Sequence, residues 1–136
     1  MAKEELFHQN VFFTLLIKAF GAFPVTRGKG DTQVIDTSIE KLEKGRNLVI
    51  FPEGTRSKDG KVGKGKTGVA LVAAVAQVPV VPVGINFEGK LKFRKGVVVG
   101  FGKPIVPGEI GVTATDPHSL KTIKNEIMKN ITELVH

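Results

Sequence analysis

The chain has 136 residues, enough for one domain around one core, and its 41% hydrophobic and 24% charged content is that of a globular protein. It contains no cysteine, which excludes disulfides, thiolate metal sites and a cysteine nucleophile. A formal charge of +7 points to anionic partners: phosphate esters, acidic lipid headgroups or nucleic acid.

No segment stays apolar over the roughly 18–20 residues that a membrane span needs. Glu4 and Glu5 stand near the start with no small-residue cleavage pattern after them, which is unlike a signal peptide. Any membrane contact is therefore expected to be peripheral.

Asn10 can cap a helix over Val11–Phe20, with Gly21 as its stop. Phe12, Phe13, Leu16, Ile17 and Phe20, with Phe7 just ahead, are many large apolar groups for one short segment. They fit either a core or contact with an anionic membrane. A short extended piece, Ala22–Thr26, carries Pro24 and leads into the Gly-rich turn Arg27–Gly30. Asp31 opens a second helix in which Ile35, Ile39 and Leu42 recur at helical spacing, and Lys41 and Lys44 precede Gly45.

Asn47–Phe51 is a short apolar run that predicts a buried strand. A polar loop follows from Pro52 to about Lys66, and Thr67–Gln77, apolar nearly all round, predicts a buried helix. Val78–Ile85, with Pro79 and Pro82, and Val97–Phe101 predict two more strands, with the basic Lys90–Lys95 between them. Asp116 and Pro117 open the last helix, whose face is Leu120, Ile123, Ile127, Ile131 and Leu134. The alternation predicts a single α/β domain over residues 1–136, a mostly parallel or mixed sheet flanked by helices. Three or four strands are few and leave a sheet edge unpaired, as expected of a fold cut at its N-terminus.

Phe51-Pro52-Glu53-Gly54-Thr55-Arg56-Ser57 follows directly on a predicted strand, where open α/β sheets bind ligands. Gly54 permits close backbone approach, Arg56 offers a planar fork for phosphate, and Thr55 and Ser57 add hydroxyls. The same run also fits an ordinary turn with a surface arginine.

This run resembles the Phe-Pro-Glu-Gly-Thr-Arg-Ser motif of the glycerolipid acyltransferases, of the 1-acylglycerol-3-phosphate acyltransferase kind. Upstream, Gly21-Ala22-Phe23-Pro24-Val25-Thr26-Arg27 resembles that family's second motif, and Val78-Pro79-Val80-Val81-Pro82-Val83 resembles its fourth. The likeness covers nearly the whole chain and fades after about Gly89. It implies transfer of an acyl group from acyl-CoA or acyl carrier protein to 1-acylglycerol-3-phosphate, giving phosphatidate, with no cofactor and no metal. It implies that Arg27 and the Glu53–Arg56 segment, with Ser57, bind the acceptor's phosphate. Arg27 and Arg56 are then expected to face one pocket. A cytoplasmic enzyme, peripheral on the membrane face, is the corresponding location.

The family's first motif is His, four residues, then Asp, the His acting as general base. It is absent here: His8 is followed five residues on by Phe13, His118 by Ile123, and His136 is the last residue. Met1-Ala2-Lys3 resembles the stretch just past that motif. The chain alone is therefore expected to bind phosphate without transferring acyl groups.

Arg56, Lys58, Lys61, Lys64 and Lys66, set against Asp59, give the loop a charge of +4 over eleven residues. It can be a solvated surface, or it can attract a lipid phosphate, a CoA phosphate or an anionic bilayer. Within it, Gly60–Thr67 satisfies the P-loop pattern letter for letter. A P-loop nucleotide-binding protein is thus an alternative, although eight residues separate the pattern from Phe51. If the match is accidental, ATP–Mg²⁺ should not bind and Lys66→Ala should leave fold and ligand binding nearly unchanged. A non-catalytic module for anionic membranes is a further alternative. Nucleic acid is disfavoured, because Lys92-Phe93-Arg94-Lys95 offers one aromatic and the chain has no Tyr or Trp.

Overall fold

The computed structural model describes residues 2–3, 15, 19, 24–25, 31–55, 57, 60–87, 96–113 and 115–135. The chain divides into two compact units, Met1–Ile50 and Phe51–His136.

In the first unit β1 (Ala2–Lys3) pairs in parallel with β2 (Pro24–Val25), Ala2 opposite Pro24 and Lys3 opposite Val25. β2 falls within the extended piece expected over Ala22–Thr26. Of the expected Val11–Phe20 helix, Leu15 and Ala19 are helical and exposed, and the remainder lies outside the described residues. The turn Arg27–Gly30 lies outside them as well.

Helix α1 (Asp31–Glu43) begins at the expected aspartate. Its end is a Schellman arrangement: Gly45 takes φ 72°, its N–H donates to the Leu42 carbonyl, and Arg46 N–H donates to that of Lys41. The Lys44 ammonium pairs with the Glu40 carboxylate one turn back, which holds the Glu40 carboxyl below its usual range.

The strand expected over Asn47–Phe51 is not formed. Residues 46–51 are irregular, and Val49 and Phe51 are 69% and 66% exposed. An apolar run of Val and Ile becomes a strand only where a neighbouring strand accepts its ladder, and none pairs with it among the described residues.

The second unit is built on α2 (Gly68–Ala76), the antiparallel pair β3 (Val83–Phe87) and β4 (Val97–Phe101), and α3 (Pro117–Leu134). Among the described residues the strands form two separate two-stranded sheets, one parallel in the first unit and one antiparallel in the second, rather than one continuous sheet. α2 ends at Gln77, which adopts the left-handed conformation, and its side chain donates to the carbonyls of Ala74 and Val112.

β3 starts later than the expected Val78. Pro79 and Pro82 have no N–H to give to a ladder, so the chain before Val83 keeps only an isolated bridge between Val80 and Ile105. β4 spans the residues expected. A short 3₁₀ turn, Pro107–Ile110, was not foreseen.

α3 begins as its sequence dictates. Asp116 accepts the N–H groups of His118 and Ser119 at 3.0 and 3.1 Å, and Ser119 Oγ donates to it at 2.6 Å. The core joins both helices: Ala70, Ala73 and Ala74 of α2 pack with Ile123 and Ile127 of α3, closed by Ile105 and Val112. The three alanines present a flat surface that lets the isoleucines in. Each fully buried isoleucine contributes roughly 1.5–3 kcal/mol.

The end of α3 lies on one face of the hairpin. A Cβ added to Gly84 would stand 2.6 Å from Leu134 Cβ, so only glycine fits there, and Asn86 Nδ2 donates to the Leu134 carbonyl at 2.8 Å. The opposite face carries Val83, Ile85 and Phe87 and their cross-strand partners Phe101, Val99 and Val97, all exposed. That is a continuous apolar surface of six large side chains.

Candidate anion-binding site

The segment Pro52–Lys66 leaves no regular strand and enters α2 at Gly68. Three backbone-anchored contacts give it a defined shape. Gly54 N–H donates to the Phe51 carbonyl at 3.0 Å, closing a tight turn in which Gly54 takes φ 67°. Lys66 N–H donates to the Pro52 carbonyl at 2.8 Å, so the end of the loop returns to its beginning. Gly63 N–H donates to Glu53 Oε2 at 2.6 Å and ties the middle of the loop to the same turn.

A Cβ at Gly63 would stand 2.8 Å from Glu53 Oε2, so a side chain there would push that carboxylate aside. Glu53 thus closes the loop, a part that its sequence context does not announce.

The return of the chain folds the Lys66 side chain over Gly54. A Cβ built on Gly54 would lie 3.1 Å from Lys66 Cε and 3.2 Å from Nζ. An exposed ammonium therefore stands over the Pro-Glu-Gly-Thr turn, beside the exposed Gly54 and Thr55. Such a placement attracts anions.

Of the expected site residues, Glu53, Gly54 and Thr55 form the turn, and Ser57 is exposed shortly after it. Arg27, Arg56 and Lys58 lie outside the described residues. Lys66 joins the turn, whereas Lys64 lies on another surface, against α3. Lys66 thus overlies the motif itself.

The P-loop alternative requires a strand running directly into Gly60. The described residues from Phe51 to Gly60 form none. His118 stands in the first turn of α3 and is exposed. No group of three or more His, Cys, Asp or Glu able to hold a metal occurs among the described residues. None of their helices is long and apolar enough to cross a membrane.

The second unit thus combines helices and an antiparallel strand pair with a glycine-containing turn that the Lys66 side chain covers. The acyltransferase family model matches residues 1–86, and the chain belongs to that family. A 1-acyl-sn-glycerol-3-phosphate acyltransferase of Bacillus subtilis (strain 168) is 38% identical over 97 residues, covering 71% of this chain and 48% of that protein. The chloroplastic 1-acyl-sn-glycerol-3-phosphate acyltransferase LPAT1 of Arabidopsis thaliana is 42% identical over 73 residues, 52% of this chain and 20% of that one. Among solved structures, the 1-acyl-sn-glycerophosphate (LPA) acyltransferase PlsC from Thermotoga maritima superposes with a TM-score of 0.67 at 27% identity. That match covers 97% of this chain and 54% of PlsC. The chain thus spans between a fifth and about half of the length of these relatives.

Proposed function

We propose that this chain carries the acceptor-phosphate site of a 1-acylglycerol-3-phosphate acyltransferase. The observation that carries the reading is the Lys66 ammonium folded over Gly54, within the Phe51–Ser57 run. In this reading Lys66 and Arg56 neutralise the phosphate of lysophosphatidate, and the hydroxyls of Thr55 and Ser57 add hydrogen bonds. Glu53 holds the loop in place by accepting the Gly63 N–H, so the cation stays over the turn.

The reaction is attack of the acceptor's glycerol hydroxyl on the thioester carbonyl of acyl-CoA or acyl carrier protein. The hydroxyl loses its proton, the carbon–sulfur bond breaks, and phosphatidate and a free thiol result. No cofactor is needed, since the thioester supplies the activated acyl group. A base must take the hydroxyl proton, and the 136 residues contain no His-x-x-x-x-Asp pair to do so. The chain therefore binds the acceptor and does not turn it over. Its site of action is the cytoplasmic face of an anionic membrane, which its charge of +7 favours.

The test is purified chain with lysophosphatidate and labelled acyl-CoA, followed by the same acceptor in a binding titration. Saturable binding with transfer slower than a complete enzyme by about 10²–10⁴ or more supports the reading. Turnover at enzyme-like rates that His8→Ala abolishes would sink it.

A further inference from the structure

A cavity of about 320 Å³ opens between the Gly63–Gly65 backbone and one stripe of α3, away from Gly54 and Thr55, which do not line it. The stripe presents Lys124, Asn125, Met128 and Lys129, in which Lys124 with Met128 and Asn125 with Lys129 are neighbours one turn apart. Lys64 faces them from the loop. The loop and helix are in close contact here, because a Cβ on Gly65 would stand 2.5 Å from Met128 Sδ.

Three lysines therefore line one small space, and no Asp or Glu is among its lining residues. Among the described residues none of the three has an ion-pair partner. The nearby Glu126 carboxylate accepts from Asn130 instead. Like charges gathered in this way repel one another and gain most from an anion that several of them share.

We propose that this cavity is a second anion site, separate from the acceptor turn, for a ligand with two phosphate groups of about the size of a nucleoside bisphosphate. A single phosphate would leave most of the volume empty and at least one lysine unmatched. A bisphosphate matches the three cations, and its sugar and base find an apolar wall in Met128 and a donor in Asn125. The nucleotide end of CoA has this chemistry. That identity rests on the acyl-transfer reading above, whereas the anion site itself does not.

The experiment is an NMR titration of the whole 136-residue chain with adenosine 3′,5′-bisphosphate, glycerol 3-phosphate and inorganic phosphate. It is repeated on the Lys124→Gln/Lys129→Gln double variant. Neither lysine is part of the buried core, and circular dichroism checks the fold of the variant. The expected result is saturable binding of the bisphosphate with amide shifts at Gly63–Gly65 and along Lys124–Thr132. The double variant should weaken that binding about tenfold or more while leaving glycerol 3-phosphate affinity unchanged.

Absence of saturable bisphosphate binding, or shifts confined to Phe51–Ser57, would overturn the proposal. Equal affinity for inorganic phosphate would overturn the two-phosphate class. Glycerol 3-phosphate occupying the cavity in its place would overturn the separation of the two sites and assign the cavity to a lipid headgroup. Loss of glycerol 3-phosphate binding alone would sink the acceptor reading and leave this site standing.

Discussion

The Glu53 carboxylate accepts the backbone N–H of Gly63, ten residues further along the chain, at 2.6 Å. With the bond from Lys66 N–H to the Pro52 carbonyl, it shapes the loop whose end places Lys66 over Gly54. Glu53→Ala should therefore cost about 1 kcal/mol of stability, the ordinary net value of one hydrogen bond. Gly63→Ala should cost a similar amount, since its new Cβ would meet Glu53 Oε2. Both variants break the same contact, so the double variant should lose clearly less than the two single losses added together. Urea denaturation of the four proteins checks this, and simple additivity would show that the bond does not organise the loop.

Asp116 accepts two backbone N–H groups and the Ser119 hydroxyl at the start of α3. The hydrogen bond from the Ser119 hydroxyl, followed by that from the Ser119 N–H, holds its carboxyl below the ordinary range. A depressed folded-state value means that the stabilisation is complete above the ordinary carboxylate pKa and fades as pH falls through the lower folded value. Asp116→Asn keeps a capping oxygen that does not titrate. The difference in melting temperature between wild type and Asp116→Asn should thus shrink as pH drops from about 6 to about 2.5. A difference that stays constant over that range would show that the charge on Asp116 adds nothing to the cap.

Gly84 lies against the last turn of α3, where an added Cβ would stand 2.6 Å from Leu134 Cβ and 2.9 Å from the Leu134 backbone. The neighbour is partly main chain and cannot swing aside. Gly84→Ala should destabilise by about 1–3 kcal/mol, as overpacking does. It should also weaken the hydrogen bond from Asn86 to the Leu134 carbonyl. Faster exchange of the Val135 amide together with a lower denaturation midpoint is the expected pair of readouts.

The helices of the second unit were legible because their signals are local. Asp116, Pro117 and the spacing of Ile123 and Ile127 fix α3 without reference to anything distant. β4 was legible for the same reason, whereas β3 was shortened by Pro82, whose missing N–H overrides the apolar run around it. Asn47–Phe51 misled because a strand is a relation between two segments, and periodicity in one cannot supply the other.

At the candidate site, the sequence pointed to the turn at Glu53–Thr55 by motif. It could not show that Lys66 returns to that turn, because the return depends on the bond from Lys66 N–H to the Pro52 carbonyl and on the bond from Gly63 N–H to Glu53. The run of glycines between Gly60 and Gly65 was the available signal, since it marks a backbone that must approach other groups closely. That Lys64, Lys124 and Lys129 line one cavity joins residues sixty or more apart in sequence and leaves no local trace.

In the proposed function the Glu53–Thr55 turn, covered by Lys66, holds the phosphate of the acceptor. The affinity of the chain for glycerol 3-phosphate and lysophosphatidate, compared among wild type, Lys66→Ala and Arg56→Lys, tests this. Lys66→Ala removes a charge-assisted bond, and Arg56→Lys keeps the charge and loses the planar fork. Each should weaken both ligands by about five- to tenfold with the circular dichroism spectrum unchanged. Affinities in both variants equal to wild type, for both ligands, would contradict the claim.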